Sequence, residues 1–190
     1  MKYNFKKIEP KWQAKWEEAQ AFKAVDFSEK PKWYGLVEFP YPSGAGMHVG
    51  HIKAYSSIEV LSRKRRMQGY NVLFPMGFDS FGLPAENYAI KTNTHPHIIT
   101  EKNIQHFKDQ MEKVGFSFDW SREIATSHED YYKWTQWIFE KLYEHNLVFR
   151  AKTLVNYCPH CKVVLSNEDS QGGKCDICHS DVVQLSKDVW

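Results

Sequence analysis

The stretch Phe39-Pro-Tyr-Pro-Ser-Gly-Ala-Gly-Met-His-Val-Gly-His51 carries most of the information about the fold of this chain. The apolar run at 33–39 leads into it and favours a short β-strand, and the residues from His48 onward have helical spacing. His48 and His51 therefore open a helix just after a turn rich in proline and glycine. A helix start offers unpaired N–H groups and a partial positive charge, which suit a phosphate group. The stretch predicts a strand-to-helix junction that binds the phosphates of a nucleotide.

The two histidines add donors of their own to this junction. Imidazoles at positions i and i+3 lie on one face of a helix and can donate to the same anion. Gly50, which lies between them, leaves room for a flat base to approach the backbone. A His-X-Gly-His sequence is short enough to occur by chance, so ordinary helix-start residues are the alternative on spacing alone.

A second block, Asn71-Val-Leu-Phe-Pro-Met-Gly-Phe-Asp-Ser-Phe-Gly-Leu-Pro-Ala-Glu-Asn87, contains an apolar strand, a turn marked by glycine and the start of another helix. Asp79 falls just past the strand. Ligands of open α/β sheets bind beyond the carboxyl ends of the strands, so a carboxylate there can pair with an ammonium group. On spacing alone, a turn or capping role for Asp79 is the commoner one.

Composition bounds the function classes that are open to the chain. Of its 190 residues, 42% are hydrophobic and 15% are aromatic, which is enough for a sizeable core. The 25 basic and 23 acidic residues give a formal net charge of +2, so any contact with nucleic acid must come from local patches. No segment approaches the ~20 apolar residues of a membrane span, and no apolar leader is present. We expect a cytoplasmic protein with no membrane partner.

Hydrophobic periodicity predicts alternating helices and strands. The predicted elements are helices at 10–22, 48–68, 84–93, 100–114 and 130–146, and strands at 33–39 and 71–76. Residues 33–76 form a βαβ unit, which is typical of a parallel sheet. The helix at 130–146 carries aromatic residues all round, which predicts burial in a core on more than one side. The basic run Arg63-Lys-Arg-Arg66 is expected to be a solvated helix end.

The four cysteines form two Cys-X2-Cys pairs, Cys158-Pro-His-Cys161 and Cys175-Asp-Ile-Cys178. Thiolates at this spacing can surround one tetrahedral Zn²⁺, with each pair forming a knuckle. The neighbouring His160 and His179 are alternative ligands, although an all-cysteine site is simpler. Four thiolates leave no open position, so we expect a structural zinc site rather than a catalytic one.

Both motif blocks resemble a known family. The stretch 39–51 is similar to the first signature of class I aminoacyl-tRNA synthetases, and Pro40-Tyr-Pro-Ser-Gly44 resembles the leucyl enzymes in particular. The block at 71–87 is similar to another segment of leucyl-tRNA synthetases, which usually have Trp and Ala where this chain has Phe78 and Ser80. The resemblance runs from residue 12 to 190 and identifies the chain as an N-terminal piece of such an enzyme.

The resemblance implies an α/β fold: the first half of a class I synthetase nucleotide-binding domain (Rossmann-like, HUP), with a parallel sheet and an appended small zinc ribbon. The implied domains are a helical lead-in at 1–32, half of the catalytic domain at 33–151, and a zinc-ribbon module at 152–186. Residues 187–190 would begin a following segment. The Lys-Met-Ser-Lys-Ser loop, editing domain and anticodon-binding domain of the family are not in the sequence, so weak activity or none is expected of these residues alone.

The resemblance also implies roles for individual residues. His48 and His51 would be catalytic and would bind ATP together with Gly50, and leucine would meet a second set of residues: Phe39, Tyr41 and Asp79. Cys158, Cys161, Cys175 and Cys178 would hold a structural Zn²⁺. The expected substrates are L-leucine, ATP with Mg²⁺, and tRNA(Leu).

Three alternatives stay open at this point. The chain could belong to a valyl, isoleucyl or methionyl enzyme, to a small adenylyltransferase that shares the His-X-Gly-His motif, or to a non-catalytic zinc-ribbon binding module. The residues at 77–87 and the paired cysteines argue against the adenylyltransferase. In the binding module, His48 and His51 would be dispensable.

Overall fold

Helices and strands alternate over the first two thirds of the chain, and strands dominate the remainder. The computed structural model describes residues 3–42 and 46–190. The helices are α1 (Phe5–Glu18), α2 (Val49–Met67), α3 (Leu83–Thr92), α4 (Pro96–Val114) and α5 (Glu129–Glu144), with short 3-10 turns at Trp120–Arg122 and Glu168–Gly173. The strands are β1 (Lys32–Tyr34), β2 (Asn71–Leu73), β3 (Gly77–Phe78), β4 (Ile124–Ala125), β5 (Ala151–Cys158), β6 (Val163–Leu165) and β7 (Val183–Val189).

The chain divides into two compact units, Met1–Lys133 and Trp134–Trp190. The core of the first unit is built mainly from aromatic and other apolar side chains of α2, α4 and the strand segments, including Tyr55, Phe74, Met76, Phe78, Phe107 and Phe118. The second unit has a small core of its own around Cys158, Leu165 and Cys175. None of the helices described is both long and apolar enough to cross a membrane.

Two parallel strand pairs form the sheet framework of the first unit. β1 pairs with β2, with Trp33 opposite Val72, and α2 connects the two strands. β3 pairs with β4, with Phe78 opposite Ala125. Because parallel strands end on the same side, the residues that follow β3 and those that follow β4 come together at one edge.

Both predicted strands of the βαβ unit end earlier than expected. β1 ends at Tyr34 rather than at residue 39, and β2 ends at Leu73 rather than at residue 76. One further ladder bond, from the Gly35 N–H to the Leu73 carbonyl at 2.9 Å, closes the pairing. Beyond it, Pro40 has no N–H to donate and the chain turns towards α2.

Three of the predicted helices have different starting points. α1 begins at Phe5, so that Pro10 lies inside the helix instead of in its first turn. α4 begins at Pro96 with His95 as its N-cap, and Thr100, where the predicted helix starts, is a buried residue within it. Proline is well suited to the first helical position, and this explains the earlier start of α4. The helix predicted at 84–93 begins at Leu83 and is capped at its end by Asn93, in the left-handed conformation.

The basic run at 63–66 is held by protein groups, so the prediction of a solvated helix end is wrong for its two outer arginines. Arg63 pairs with Glu59, donates to the Gly115 carbonyl at 2.7 Å and lies over the Trp16 ring. Arg66 donates to the Ser117 hydroxyl and carbonyl, at 2.5 and 2.9 Å. Burial lowers the pKa of Arg66 to about 10. These two arginines fasten α2 to the segment that follows α4.

The predicted burial of the helix at 130–146 is also wrong. None of the residues of α5 is buried, and Trp134 and Trp137 are 57% and 51% exposed. The helix itself forms as predicted, within two residues at each end. Its aromatic side chains form an apolar surface, and this surface is accessible in the described part of the chain.

The second unit contains a three-stranded antiparallel sheet in the order β6-β5-β7. β5 pairs with β7 over seven positions, from Ala151 opposite Val189 to Tyr157 opposite Val183. β6 lies on the other side of β5, with Cys158 opposite Val163. Between the two cysteine pairs lie the strand β6 and a glycine turn, in which Gly172 and Gly173 have φ of +67° and +73°.

Candidate active site and cysteine cluster

The two histidines cap the start of α2 and each other. His48 is the N-cap residue, and its ring Nδ1 accepts a hydrogen bond from the Gly50 N–H at 3.0 Å. The Nδ1 of His51 accepts from the His48 N–H at 3.1 Å. The rings stack with their centroids 3.9 Å apart and their planes 25° from parallel. This is the capping-box arrangement, built from imidazoles.

These bonds decide where the imidazole protons lie. Each Nδ1 is an acceptor, so in the neutral form each ring carries its proton on Nε2. Burial and the neighbouring His48 lower the pKa of His51, and Glu38 has a smaller, opposing effect. The lowered pKa favours the neutral ring at pH 7. Both rings therefore present an Nε2–H donor beside the partial positive charge of the helix N-terminus.

Gly50 is required by the His48 ring. A Cβ atom at this position would lie 2.7 Å from Cε1 and 2.9 Å from Nδ1 of that ring. Both distances are shorter than the contacts that Cβ atoms make in folded proteins. The group that approaches Gly50 within the chain is an imidazole, and the approach of a nucleotide base at this position stays a prediction.

The loop before His48 is attached to α4 by Gln110, a residue that the sequence analysis did not identify. The side-chain Oε1 of Gln110 accepts from the Met47 N–H at 2.8 Å. Gly46 has φ of +107°, and a Cβ atom there would overlap the Gln110 amide. Ser43 and Gly44, which belong to the leucyl-like stretch, lie outside the described residues. No sequence signal marks Gln110, since its partner is a backbone group 63 positions away.

Phe39 and Asp79 lie on neighbouring segments. The Asp79 N–H donates to the Pro40 carbonyl at 3.1 Å, which places the segment after β1 beside the end of β3. The Phe39 ring packs so closely on Gly77 that a Cβ there would be 2.6 Å from Cε2. Phe39 is half-buried, Asp79 is partly exposed, and the Tyr41 side chain is 55% exposed. An apolar ring and an accessible carboxylate therefore border the same edge.

Tyr55 connects this segment to the histidines. Its hydroxyl donates to the Glu38 carbonyl at 3.2 Å, and its ring centroid is 5.8 Å from that of His51. The side chain is 2% exposed, and this burial, together with the charge of Glu38, raises the pKa of the phenol above its usual range. A buried neutral tyrosine thus ties the residue before Phe39 to the helix that carries both histidines.

Two hydroxyl residues after β4 complete this edge, and the sequence analysis did not identify them. The Thr126 hydroxyl is 3.3 Å from Asp79 Oδ1 and accepts from the Ser80 N–H at 2.8 Å. The hydroxyls of Ser80 and Ser127 lie 2.7 Å apart. The two-residue strand that delivers them, β4, is too short for periodicity to detect.

The four cysteines meet in the second unit. Their sulfur atoms all lie within 4.8 Å of one another, and Cys158 and Cys175 are fully buried. Among the described residues this is the one group of His, Cys, Asp or Glu side chains with metal-binding geometry. His160 and His179 are exposed neighbours outside it.

Each cysteine pair closes a turn of the same shape. The Lys162 N–H donates to the Cys158 carbonyl, and the His179 N–H donates to the Cys175 carbonyl, both at 2.8 Å. Lys162 and His179 also share a left-handed backbone, with φ of +58° and +60°. Hydrogen bonds from Ser180 lower the pKa of Cys178 to about 5. Two equivalent knuckles that converge on one point are the geometry of a closed tetrahedral metal site.

Comparison with known proteins agrees with this geometry. The profile of the tRNA synthetases class I (I, L, M and V) matches residues 11–177. The chain belongs to the class I tRNA synthetases. The resemblance and the α/β fold class inferred from the sequence are confirmed.

Individual members of the synthetase family are similar over nearly the whole chain. Leucine–tRNA ligases from Alkaliphilus oremlandii and Thermotoga maritima are 54% and 52% identical over 188 residues. Each alignment covers 99% of this chain and 23% of the relative, so the chain spans about a quarter of the length of the curated relatives that it matches.

Solved synthetase structures share the fold. A LeuRS from Agrobacterium radiobacter K84, in a ternary complex with tRNA and LeuAMS, is 37% identical with a TM-score of 0.88, over 98% of this chain and 24% of that one. The methionyl-tRNA synthetase of Mycobacterium tuberculosis, in complex with methionyl-adenylate, has a TM-score of 0.64 at 20% identity, over 83% of this chain and 31% of that one. The second likeness concerns the fold alone.

Proposed function

We propose that this chain forms part of the active site of a leucine–tRNA ligase, which activates L-leucine with ATP and transfers the leucyl group to tRNA(Leu) in cytoplasmic protein synthesis. The observation that carries the proposal is the pair of stacked histidines, His48 and His51, at a helix N-terminus. Within residues 3–42 and 46–190, no hydrogen bond uses either Nε2–H group. The preference for leucine is supported by the names of the relatives at 52–54% identity.

The histidines act on the phosphates of ATP. In the activation step the leucine carboxylate attacks the α-phosphate, and leucyl-adenylate and pyrophosphate are the products. This reaction needs positioning and charge stabilisation more than covalent help from the protein. His48 and His51 donate from Nε2 to phosphate oxygens, and their mutual caps keep both rings in place without reorganisation. Adenosine approaches at Gly50, and Mg²⁺ accompanies the triphosphate.

Leucine binds at the edge formed after β3. Asp79 pairs with its ammonium group, and Phe39 and Tyr41 contact the rest of the amino acid. Two hydrogen bonds support this assignment, because they fix the backbone around these residues. The Pro40 carbonyl accepts from the Asp79 N–H, and the Glu38 carbonyl accepts from the Tyr55 hydroxyl. Phe78 and Ser80, the two positions at which the sequence motif differs from the family pattern, both have buried side chains. Neither side chain therefore replaces the Asp79 carboxylate at the accessible edge.

The cysteine cluster holds a structural Zn²⁺. Cys158, Cys161, Cys175 and Cys178 would supply all four ligands, and the bound ion would cross-link the two knuckles of the second unit. With four protein ligands, the site has no position for a substrate.

The test is ATP–pyrophosphate exchange by the natural protein that carries this sequence, with leucine, isoleucine, valine and methionine in parallel. We expect exchange with leucine to exceed that with the other three. His48→Asn and His51→Asn each keep a side-chain oxygen that can replace Nδ1 as the cap, but lack the Nε2–H donor. We expect each to reduce exchange by about 100-fold or more.

Thermal unfolding is the matched control, because the asparagine variants should melt close to the wild type. Exchange that prefers another amino acid would refute the leucine assignment. Leucine and ATP binding that survives both asparagine changes would favour a non-catalytic binding module instead.

A further inference from the structure

Thr126 lies where it can orient the Asp79 carboxylate. Its backbone N–H donates to the Phe78 carbonyl at 3.0 Å, which continues the parallel pairing of β3 and β4 by one position. The pairing sets the Thr126 side chain beside the first residues after β3, and its Oγ1 is 3.3 Å from Asp79 Oδ1. The contact thus follows from strand register, and not from a flexible surface approach.

The hydroxyl has a single proton, and its neighbours decide where that proton points. The Ser80 N–H donates to Thr126 Oγ1 at 2.8 Å, so one oxygen lone pair is already used. A carboxylate oxygen can only accept, so the Thr126 O–H donates to Asp79 Oδ1. The chain of bonds therefore runs from the Ser80 amide through Thr126 to Oδ1 and has one direction.

The backbone on both sides of the carboxylate is fixed as well. Asp79 itself donates to the Pro40 carbonyl, at 3.1 Å. Ser80 is 3% exposed, its Oγ accepts from the Ser127 N–H at 3.1 Å, and the two serine hydroxyls are 2.7 Å apart. Within the described part of the chain, no hydrogen bond reaches Asp79 Oδ2. The residue thus has one oxygen held by the protein and one available to a ligand.

We infer that Thr126 is a positioning residue for substrate recognition: it holds Oδ1 so that Oδ2 meets the ammonium group of the amino acid. The inference deepens the proposed function and rests on it. Ser80 ties the same turn to Ser127. An ammonium group is a directional donor, so a carboxylate that rotates freely would bind it more weakly and discriminate less against uncharged analogues.

The test compares Thr126→Val and Thr126→Ser in the natural protein that carries this sequence. The readouts are the KM values for leucine and ATP in pyrophosphate exchange, and inhibition by two alcohols that differ only in the amine, leucinol and 4-methylpentan-1-ol. We expect Thr126→Val to raise the leucine KM and the leucinol inhibition constant by about tenfold or more. The ATP KM and the inhibition constant of 4-methylpentan-1-ol should not change.

The serine variant keeps the hydroxyl and should restore the wild-type values to within about threefold. Thr94→Val is the matched control, because the Thr94 hydroxyl bonds to a carbonyl in the turn after α3. If Thr126→Val does not fold, Thr126→Ala removes the same hydroxyl without the second methyl group and carries the same expectations.

The outcomes separate the inference from the function on which it rests. Equal weakening of both alcohols would indicate a distorted pocket and would overturn the positioning role, as would an unchanged leucine KM in the valine variant. A wild-type protein with no leucine-dependent exchange would refute the proposed function itself and the inference with it.

Discussion

At the scale of single residues, the histidines combine two tasks that are usually separate. Their Nδ1 atoms satisfy two backbone N–H groups at the start of α2, which leaves the proton of each neutral ring on Nε2 as a donor. The spacing of His48 and His51 was enough to predict that both lie at a helix start on one face. The mutual capping was not predictable, because it depends on ring rotamers that Gly50 permits.

Acid should destabilise the first unit through His51. The fold lowers the pKa of this ring below the value of about 6.5 for an unfolded histidine, so below pH ~6.5 the unfolded chain binds more protons than the folded one. The free energy of unfolding should therefore fall as the pH falls through that window and be regained above it. Protonation at Nδ1 also removes the acceptor for the His48 N–H.

Urea unfolding of wild type and His51→Asn at pH 7.5 and pH 5.5 measures this contribution. The asparagine variant has no imidazole at the cap, so it should lose less stability over the same interval. An identical loss in both proteins would assign the acid sensitivity to other groups.

Gly77→Ala should damage both stability and leucine recognition. The added methyl would lie 2.6 Å from Cε2 of Phe39 and 2.8 Å from Cγ1 of Ile124. We expect a loss of about 1–3 kcal/mol in the free energy of unfolding and a higher leucine KM, because the Phe39 ring must move. Phe39→Leu in the same background provides space and should recover part of the stability. If Gly77→Ala alone kept the stability and the leucine KM of the wild type, the close contact would be refuted.

At the scale of elements, the helices were far better predicted than the strands. α2 lies within one residue of its predicted bounds because its periodicity extends over five turns, whereas β3 and β4 have two residues each and no detectable period. The outer arginines of 63–66 illustrate the limit of local patterns. Their partners, Gly115 and Ser117, are distant in sequence, so the run could only be interpreted as solvated.

α4 should tune the ATP end of the site through Gln110. Gln110→Leu removes the acceptor of the Met47 N–H, so the loop before His48 loses its attachment to α4. We expect the ATP KM in pyrophosphate exchange to rise by about 3- to 10-fold while the leucine KM stays constant. Gln110→Glu retains an oxygen acceptor and serves as the control. A rise in the leucine KM alone would contradict this role.

At the scale of the whole molecule, each unit has its own core, and the core of the second unit contains the cysteine cluster. The cysteine spacing was sufficient to predict the cluster, since Cys-X2-Cys pairs converge by local turn geometry. The burial of α5 was predicted wrongly because it does not depend on local geometry. Burial of a helix face depends on what covers it, and a helical pattern contains no information about that.

Removal of zinc should unfold the second unit and leave the first one folded. The fully buried Cys158 and Cys175 belong to a core of very few residues, which is too small to be stable without the cross-link. We expect one zinc per chain by elemental analysis, and loss of amide protection in β5 and β7 after chelation or in Cys175→Ser. Protection in α2 and α4 should persist. Retained protection in β5 without metal would refute the structural role.

The anchored arginines limit how strongly any RNA contact at the end of α2 would depend on salt. Each cation that docks on a phosphate releases condensed counterions, and the logarithm of affinity falls with the logarithm of salt concentration in proportion to the number released. Arg63 and Arg66 bond to Gly115 and Ser117, and Arg65 donates to the Gln68 side chain at 3.2 Å. Of this run, only Lys64 could contribute without breaking a hydrogen bond that the described structure shows. A polyelectrolyte that meets the end of α2 would therefore encounter only a small part of the charge that the sequence displays.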